Sequence, residues 1–275
     1  MINATFENSY GFVQLFGGEN PLLEPIFVEG LALPEKEVDA AVFKLQEGQT
    51  VVNSRDLPRT ITIKGHLYGD YKKAVRAARI LYTDGTLTLT TPDTERVIEV
   101  RCIKFFDRKH LESGVMEGEI VFVCDKPYFH DKAQTFEYIY SRMPLLKTYF
   151  TLPTKLSHRI SEGKIDNKGQ VRAEPYLEIK NYDDKTQNGF TITNKTTGTV
   201  LSVSVEMQKG ETIKIDIPKR TVTNNNGDNL LPLLSEISYL SDFYFVPGEN
   251  VIEFVSSGDV RCECLYAVNY TEAII

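Results

Sequence analysis

Zinc hydrolysis needs imidazoles at fixed spacing, so that two ligands reach one metal from a single turn or helix face. His66, His110, His130 and His158 stand far apart, with no His-x-x-x-His or His-Glu-x-x-His between them. Each reads as a surface or interface imidazole. A cysteine zinc site wants two matched Cys-x-x-Cys-type pairs. Cys262 and Cys264 are instead two apart on one strand face, and Cys102 and Cys124 sit singly inside apolar runs. All four read as buried thiols. No Gly-x-Ser-x-Gly elbow presents a serine nucleophile. Glycosidic cleavage needs two carboxylates flanking a bond. Glu112, Glu117 and Glu119 cluster, but Glu117 and Glu119 share a strand face, which a solvated surface explains. Neither a phosphate loop nor a dinucleotide glycine fingerprint occurs. Asn224-Asn-Asn-Gly-Asp-Asn229 is rich in oxygen, yet Asp228 is its one acid where calcium wants several. It reads as an exposed loop. The sequence thus nominates no catalytic, cofactor-binding or metal-binding residue, and the chain is read as a non-enzyme without a cofactor.

The balance of the chain narrows its partners. A length of 275 residues suits two domains of ordinary size, and 41% hydrophobic residues suffice for real cores. A formal charge of −7 leaves no basic surface to grip phosphate, which argues against a sequence-specific nucleic-acid reader. The same charge suits a wall past which DNA must slide. The first ten residues lack the basic and apolar segments of a signal peptide, and no run approaches the ~18 apolar residues of a membrane span. The expectation is a soluble chain made in the cytoplasm, without membrane insertion. Asn3-Ala-Thr5, Asn194-Lys-Thr196 and Asn269-Tyr-Thr271 match the glycosylation pattern but carry no meaning without secretion.

The elements follow from periodicity. Residues 1–50 read as short strands in an irregular arm: Gly11–Phe16 is strand-like, and Pro21, Pro25 and Pro34 punctuate Ile26–Glu29. Such an arm cannot bury its own apolar side chains and should pack on a neighbour. Arg59–Tyr68 alternates as a strand. Asp70 then caps a helix running to about Tyr82, with Val75, Ala78, Leu81 and Tyr82 as its apolar stripe. Asp84-Gly85 turns into Thr86–Thr91, and Arg96–Phe106 and Glu117–Cys124 complete a meander closed by Asp125-Lys-Pro-Tyr-Phe129. Residues 131–165 read as strand and linker. Beyond Asp166-Asn-Lys-Gly169 nearly every segment is a short strand bounded by turn residues, the pattern of a β-sandwich. Those strands are Pro175–Lys180, Gly189–Asn194, Thr199–Met207, Thr212–Ile217, Phe243–Val246, Asn250–Ser256 and Val260–Tyr270. The expected fold is mainly β with one short helix: an α+β domain over 1–130, a crossover over 131–165 and a β-sandwich over 166–275.

Three places in this order resemble the distal tail protein (Dit) family of long-tailed bacteriophages and prophages. They are Arg59-Thr-Ile-Thr-Ile-Lys-Gly-His-Leu-Tyr-Gly-Asp70 with its helix, Cys124-Asp-Lys-Pro-Tyr-Phe129, and Asn167–Ile179 with the segments behind it. Those segments are Ile192–Gly198, Gly210–Asp216 and Pro247–Phe254. The resemblance implies a split-barrel-like first domain that closes into a homo-hexameric ring at the tip of the tail. It also implies a galectin-like or carbohydrate-module-like second domain. The implied partners are copies of the chain itself, the tail tube protein and the tail-tip or tail-associated lysin protein, with receptor-binding proteins in some phages. The implied location is the virion tail tip or a prophage-derived tail particle.

Three readings follow. The first is a structural baseplate hub, with Phe12, Val13, Leu15, Phe16, Ile61, Ile63 and His66 as candidate subunit contacts against a competing role in the monomer's core. The second is an adaptor gripping cell-surface polysaccharide, with Tyr239, Phe243 and Tyr244 partly facing a groove. The third is a hydrolase, for which no residue pair offers itself.

Overall fold

Period-two alternation of apolar and polar side chains builds most of the chain into antiparallel strands. A computed structural model describes residues 2–44, 47–67, 71–105, 109–110, 116–140, 143–144, 157–158 and 162–273. The chain divides into two compact units, one of residues 1–132 with 270–275 and one of residues 133–269.

The first unit contains β1 (Asn3–Asn8), β2 (Gly11–Phe16), β3 (Glu24–Glu29), β4 (Lys36–Ala41), β5 (Thr50–Asp56) and β6 (Arg59–Leu67). Then come α1 (Tyr71–Leu81), β7 (Gly85–Thr90), β8 (Glu95–Phe105), β9 (Lys109–His110), β10 (Met116–Cys124) and β11 (Phe129–Asp131). Seven strands hydrogen-bond in the order β2-β1-β7-β8-β10-β6-β3, with β11 on β8 and β9 on β10. The sheet is rolled. Phe6 of β1 stacks on Phe122 of β10 with centroids 5.8 Å apart; three strand spacings of a flat sheet would hold them about 14 Å apart. The chain between β2 and β3 narrows the remaining gap, since Leu22 and Leu23 donate to the carbonyls of Gln14 and Leu15 at 2.8 and 3.0 Å. A split barrel results, filled by Phe6, Leu15, Ile61, Ile63, Leu87, Ile120, Phe122 and their neighbours. At Gly65 a Cβ would lie 2.4 Å from the Glu24 carbonyl, so the absent side chain lets bulged β3 cross close to β6.

The helix lies on this barrel by a face one residue away from the expected stripe. Ala74, Ala77, Ile80 and Leu81 are buried, while Val75 and Ala78 are half-buried and Tyr82 is 89% exposed. Each residue turns the helix by about 100°, and Tyr82 lies past the last turn, where helical period no longer aims it. Asp70, the expected cap, lies outside the described residues.

The second unit contains β12 (Thr135–Tyr140), β13 (Met143–Pro144), β14 (Ser157–His158), β15 (Glu162–Asn167), β16 (Tyr176–Asn181) and β17 (Gln187–Asn194). It continues with β18 (Thr199–Met207), β19 (Thr212–Asp216), β20 (Thr221–Thr223), β21 (Gly248–Ser256) and β22 (Val260–Tyr266). One sheet runs β12-β22-β16-β19-β20 and the other β15-β21-β17-β18, while β13 and β14 form a small pair. Leu177, Ile179, Cys262, Cys264 and Ile215 of the first sheet are buried, as are Ile165, Ile192, Leu201, Ile252 and Phe254 of the second. Tyr266 ties the layers together, its hydroxyl donating to the Asp166 carbonyl at 3.1 Å. Within residues 131–165, β12 and β15 are thus strands of the two sheets. Phe243–Val246 makes no strand but a single bridge from Phe245 to Ala173, following a 3-10 turn at Leu240–Asp242. Phe243 and Phe245 still fill the core.

Four fully buried asparagines hold the strand ends. Asn167 accepts from the Gly169 amide at 3.0 Å, and Asn250 accepts from that of Val246 at 2.9 Å. Asn181 donates to the Met207 carbonyl and Asn194 to that of Tyr244, both at 2.9 Å. A buried amide must meet its hydrogen bonds inside the protein, and a turn backbone supplies both donors and acceptors.

Candidate interaction surfaces

Most residues whose types first suggested chemistry are accounted for by structure. Glu119 accepts from Lys104 at 2.8 Å with Lys64 at 3.5 Å, and the Lys104 contact holds its carboxyl below the ordinary glutamate value. Asn224 accepts from the amides of Asn226 and Asp228, so the oxygen-rich loop is organised by its own backbone. Cys124, Cys262 and Cys264 are buried, and burial pushes all three thiols up, Cys124 to about 12. Cys102, expected in the core, is half-buried and packs against its margin, on the same face of β8 as buried Ile98 and Val100. Among the described residues no group of three His, Cys, Asp or Glu side chains could hold a metal, and no helix is long and apolar enough to cross a membrane. Glu112 and the side chains of His110 and His158 lie outside the described residues.

The candidate subunit contacts separate into two groups. Val13, Leu15, Phe16, Ile61 and Ile63 fill the barrel core, because their strand faces point inward. Phe12, on the opposite face of β2, is exposed. His66 is half-buried and lines a cavity. In the second unit Tyr239 is 62% exposed, Phe243 is in the core, and Tyr244 is half-buried with the Arg172 guanidinium 5.2 Å from its ring.

One exposed apolar feature of the first unit is not outlined by sequence periodicity. Among the described residues β4 and β5 pair only with each other, in register from Lys36–Asp56 to Ala41–Thr50. Val38, Val51 and Val52 stand exposed on this ribbon, Val52 at 70%, and the chain beyond β4 exposes Val42 at 74% and Phe43 at 58%. A lone two-stranded hairpin with both faces wet is marginal in water. Its base is nonetheless well anchored. Tyr128 donates to Asp56 at 2.6 Å, and the Leu57 amide donates to the Glu35 carbonyl at 2.8 Å.

Beside the base lies Arg59, only 4% exposed. It donates to the carbonyls of Pro127 at 2.8 Å, Gly30 and Thr271 at 2.6 Å, and also to that of Ala32. Its guanidinium sits 4.8 Å from the Phe129 ring centroid. Burial pulls Arg59 below the ordinary arginine value while Cys124 and Asp56 push it back, and the group stays charged. One side chain thereby fastens the chain entering the hairpin, the close of the meander and the returning C-terminus.

A second feature is an open cavity of about 580 Å³ lined by Ile2, Phe16, Pro21, Leu22, Leu23 and Pro25, with Glu24 and His66 also contributing. Leu22 and Leu23 of the β2–β3 connection are themselves buried in the barrel core, so the exposed part of the lining comes from Ile2, Glu24 and Pro25.

Comparison with known proteins fits this architecture. Residues 168–273 match the model of the siphovirus-type tail component, C-terminal domain. No curated protein matches the chain. The crystal structure of SPP1 Dit (gp 19.1), described as a paradigm of the hub adsorption apparatus in phages infecting Gram-positive bacteria, aligns with a TM-score of 0.69 at 11% identity. The alignment covers 96% of this chain and 98% of that one. Chains from the phage p2 baseplate in its activated conformation, with Sr and with Ca, align at 0.52 and 0.51 with 13% and 12% identity, each over the same shares of the two chains. Residues 168–273 thus match a siphovirus-type tail component domain, and over 96% of its length the chain shares the fold of a Dit hub protein, in keeping with the resemblance to the distal tail protein family.

Proposed function

We propose that this chain is a non-enzymatic hub of a phage or prophage tail, six copies of which close into a ring through their first units. The ring joins the tail tube protein to the tip or tail-associated lysin protein, and the second units offer attachment for receptor-binding proteins. The observation that carries this reading is the β4–β5 ribbon. A monomer gains nothing from exposing Val38, Val42, Phe43, Val51 and Val52, whereas covering such side chains contributes about 1.5–3 kcal/mol each. A neighbouring copy supplies that cover, and a contact between unlike surfaces closes into a ring when its rotation permits. The test is negative-stain imaging with a mass in solution, alone and with tube and tip proteins. Six chains of 31.2 kDa make about 187 kDa. A particle of that mass with a central hole supports the hub, and a chain that stays monomeric with both partners present removes it.

A second reading, adhesion to cell-surface polysaccharide, draws on the exposed Tyr239, because sugars stack on aromatic faces. A broad set of cell-wall glycans that shifts no resonance anywhere in the chain, Tyr239 included, would dismiss it.

A further inference from the structure

The outward face of the sheet that joins β12, β22, β16 and β19 departs from the charge pattern of an ordinary solvated face. Leu177, Ile179, Cys262 and Cys264 point into the sandwich, so Glu178, Lys180, Arg261 and Glu263 point out, each half-buried. The register sets Glu178 directly opposite Glu263 and Lys180 directly opposite Arg261. Like charges in such places destabilise a sheet, whereas opposite charges stabilise it. The cation row is compensated within the chain. Arg261 lies 4.3 Å and Lys180 5.3 Å from the ring centroid of Tyr182, and Arg261 also meets Asp259 at 3.2 Å. The carboxylate row is compensated less. Tyr176 donates to Glu178, and Lys214 of β19 stands opposite it. Among the described residues neither Glu178 nor Glu263 makes a salt bridge. The row ends at Tyr138 of β12, opposite Glu263, with Phe136 two residues away. These rings are 48% and 43% exposed and meet edge to face, with centroids 4.7 Å apart.

This make-up selects the chemistry of a ligand. On the outward face Glu178, Glu263 and Asp216 are balanced by Lys180, Arg261 and Lys214, so the face as a whole draws neither a cation nor an anion. A hydroxyl group suits it, because one hydroxyl donates to a carboxylate and accepts from an ammonium or guanidinium. A pyranose carries several hydroxyls on its rim and an apolar face that packs on an aromatic ring. We infer that this face binds an uncharged polysaccharide, with sugar rings against Phe136 and Tyr138 and hydroxyls donating to Glu263 and Glu178. The inference rests on the polysaccharide reading and puts its site on this sheet rather than at Tyr239. Donation to both carboxylates offsets the repulsion between them.

The experiment titrates the full chain with a broad set of soluble, uncharged cell-wall oligosaccharides, read by side-chain resonances and by calorimetry. Shifts at Phe136 and Tyr138 are expected, with Tyr239 unmoved. Tyr138→Ala and Glu263→Gln should each weaken binding at least fivefold, while Tyr239→Ala binds as wild type does. Glu263→Gln removes one member of a like-charge pair, so its thermal midpoint should equal or exceed that of wild type, and lost binding is then no failure of folding. Shifts confined to Tyr239, or Tyr138→Ala and Glu263→Gln chains that bind as tightly as wild type, overturn this site and leave the polysaccharide reading standing. Phe136 and Tyr138 shifted by the tip protein and by no oligosaccharide mark a protein contact and overturn it as well. No shift anywhere with any oligosaccharide defeats both the site and the reading.

Discussion

Arg59 shows how one buried residue can hold a unit together from within. Among the described residues its four acceptors are all backbone carbonyls, and no carboxylate forms an ion pair with it. Hydrogen bonds to a charged group contribute about 1.5–3 kcal/mol each, and removing one member of a buried charged network leaves the others unsatisfied. Arg59→Leu should therefore cost the first unit about 3 kcal/mol or more, read as an earlier urea midpoint there with the second unit's transition unmoved. The sequence showed Arg59 only as the polar first residue of a strand, because nothing local reveals acceptors up to 212 positions away. The buried asparagines were equally hidden. Asn194 read as an idle glycosylation match, whereas its complete burial and its bond to Tyr244 make it a turn anchor. The thiols were legible, since an apolar strand run already argues burial. They also carry a pH dependence. An unfolded thiol ionises near 8.5, while burial raises folded Cys124 to about 12. Stability from this group is complete below pH ~8.5 and falls as pH rises toward 12, because only the unfolded chain releases the proton in that window. Urea midpoints at pH 7.5, 9 and 10.5 should decline in that order, and more shallowly in Cys124→Ala if that variant folds.

Among the elements, those with one wet and one dry face were legible and those with two wet faces were not. β6, β8, β10 and most strands of the sandwich were outlined within about two residues, because burial of one face imposes alternation. β4 and β5 escaped because neither of their faces is buried in the chain, so no alternation was selected there. The helix was found but turned by one position. Its buried side chains include two alanines, Ala74 and Ala77, which a search for large apolar residues undervalues. A ribbon held mainly at its base should open easily. In the free chain the β4–β5 amides should exchange with deuterium at least a hundredfold faster than those of β6, and assembly should protect them. Equal protection of β5 and β6 in the free chain would contradict an arm that depends on a neighbour.

At the scale of the whole molecule, the division of the chain does not follow its order. Residues 270–275 return to the first unit. There Tyr270 donates to Asp131 at 3.0 Å beneath the Arg96 guanidinium, Thr271 receives Arg59, and the Ala273 amide donates to the Leu31 carbonyl at 3.0 Å. Truncation after Asn269 should thus destabilise the first unit, by about 3 kcal/mol from the lost hydrogen bonds and the burial of Ala273. The second unit, which contains none of these residues, should melt as before. A two-transition denaturation profile separates the outcomes, and loss of the second transition instead would show the tail to be wrongly assigned.

The sequence alone determined the mainly β class, the helix that follows β6, the sandwich texture of the second half and the order of elements that resembles a distal tail protein. All of these rest on local periodicity and turn chemistry, which are written within a few residues of one another. Tertiary structure decided how the first sheet rolls into a barrel, what Arg59 and the buried asparagines hold, where the C-terminus returns, and which apolar side chains stay outside. Those features depend on contacts between residues distant along the chain, and only folding brings such residues together.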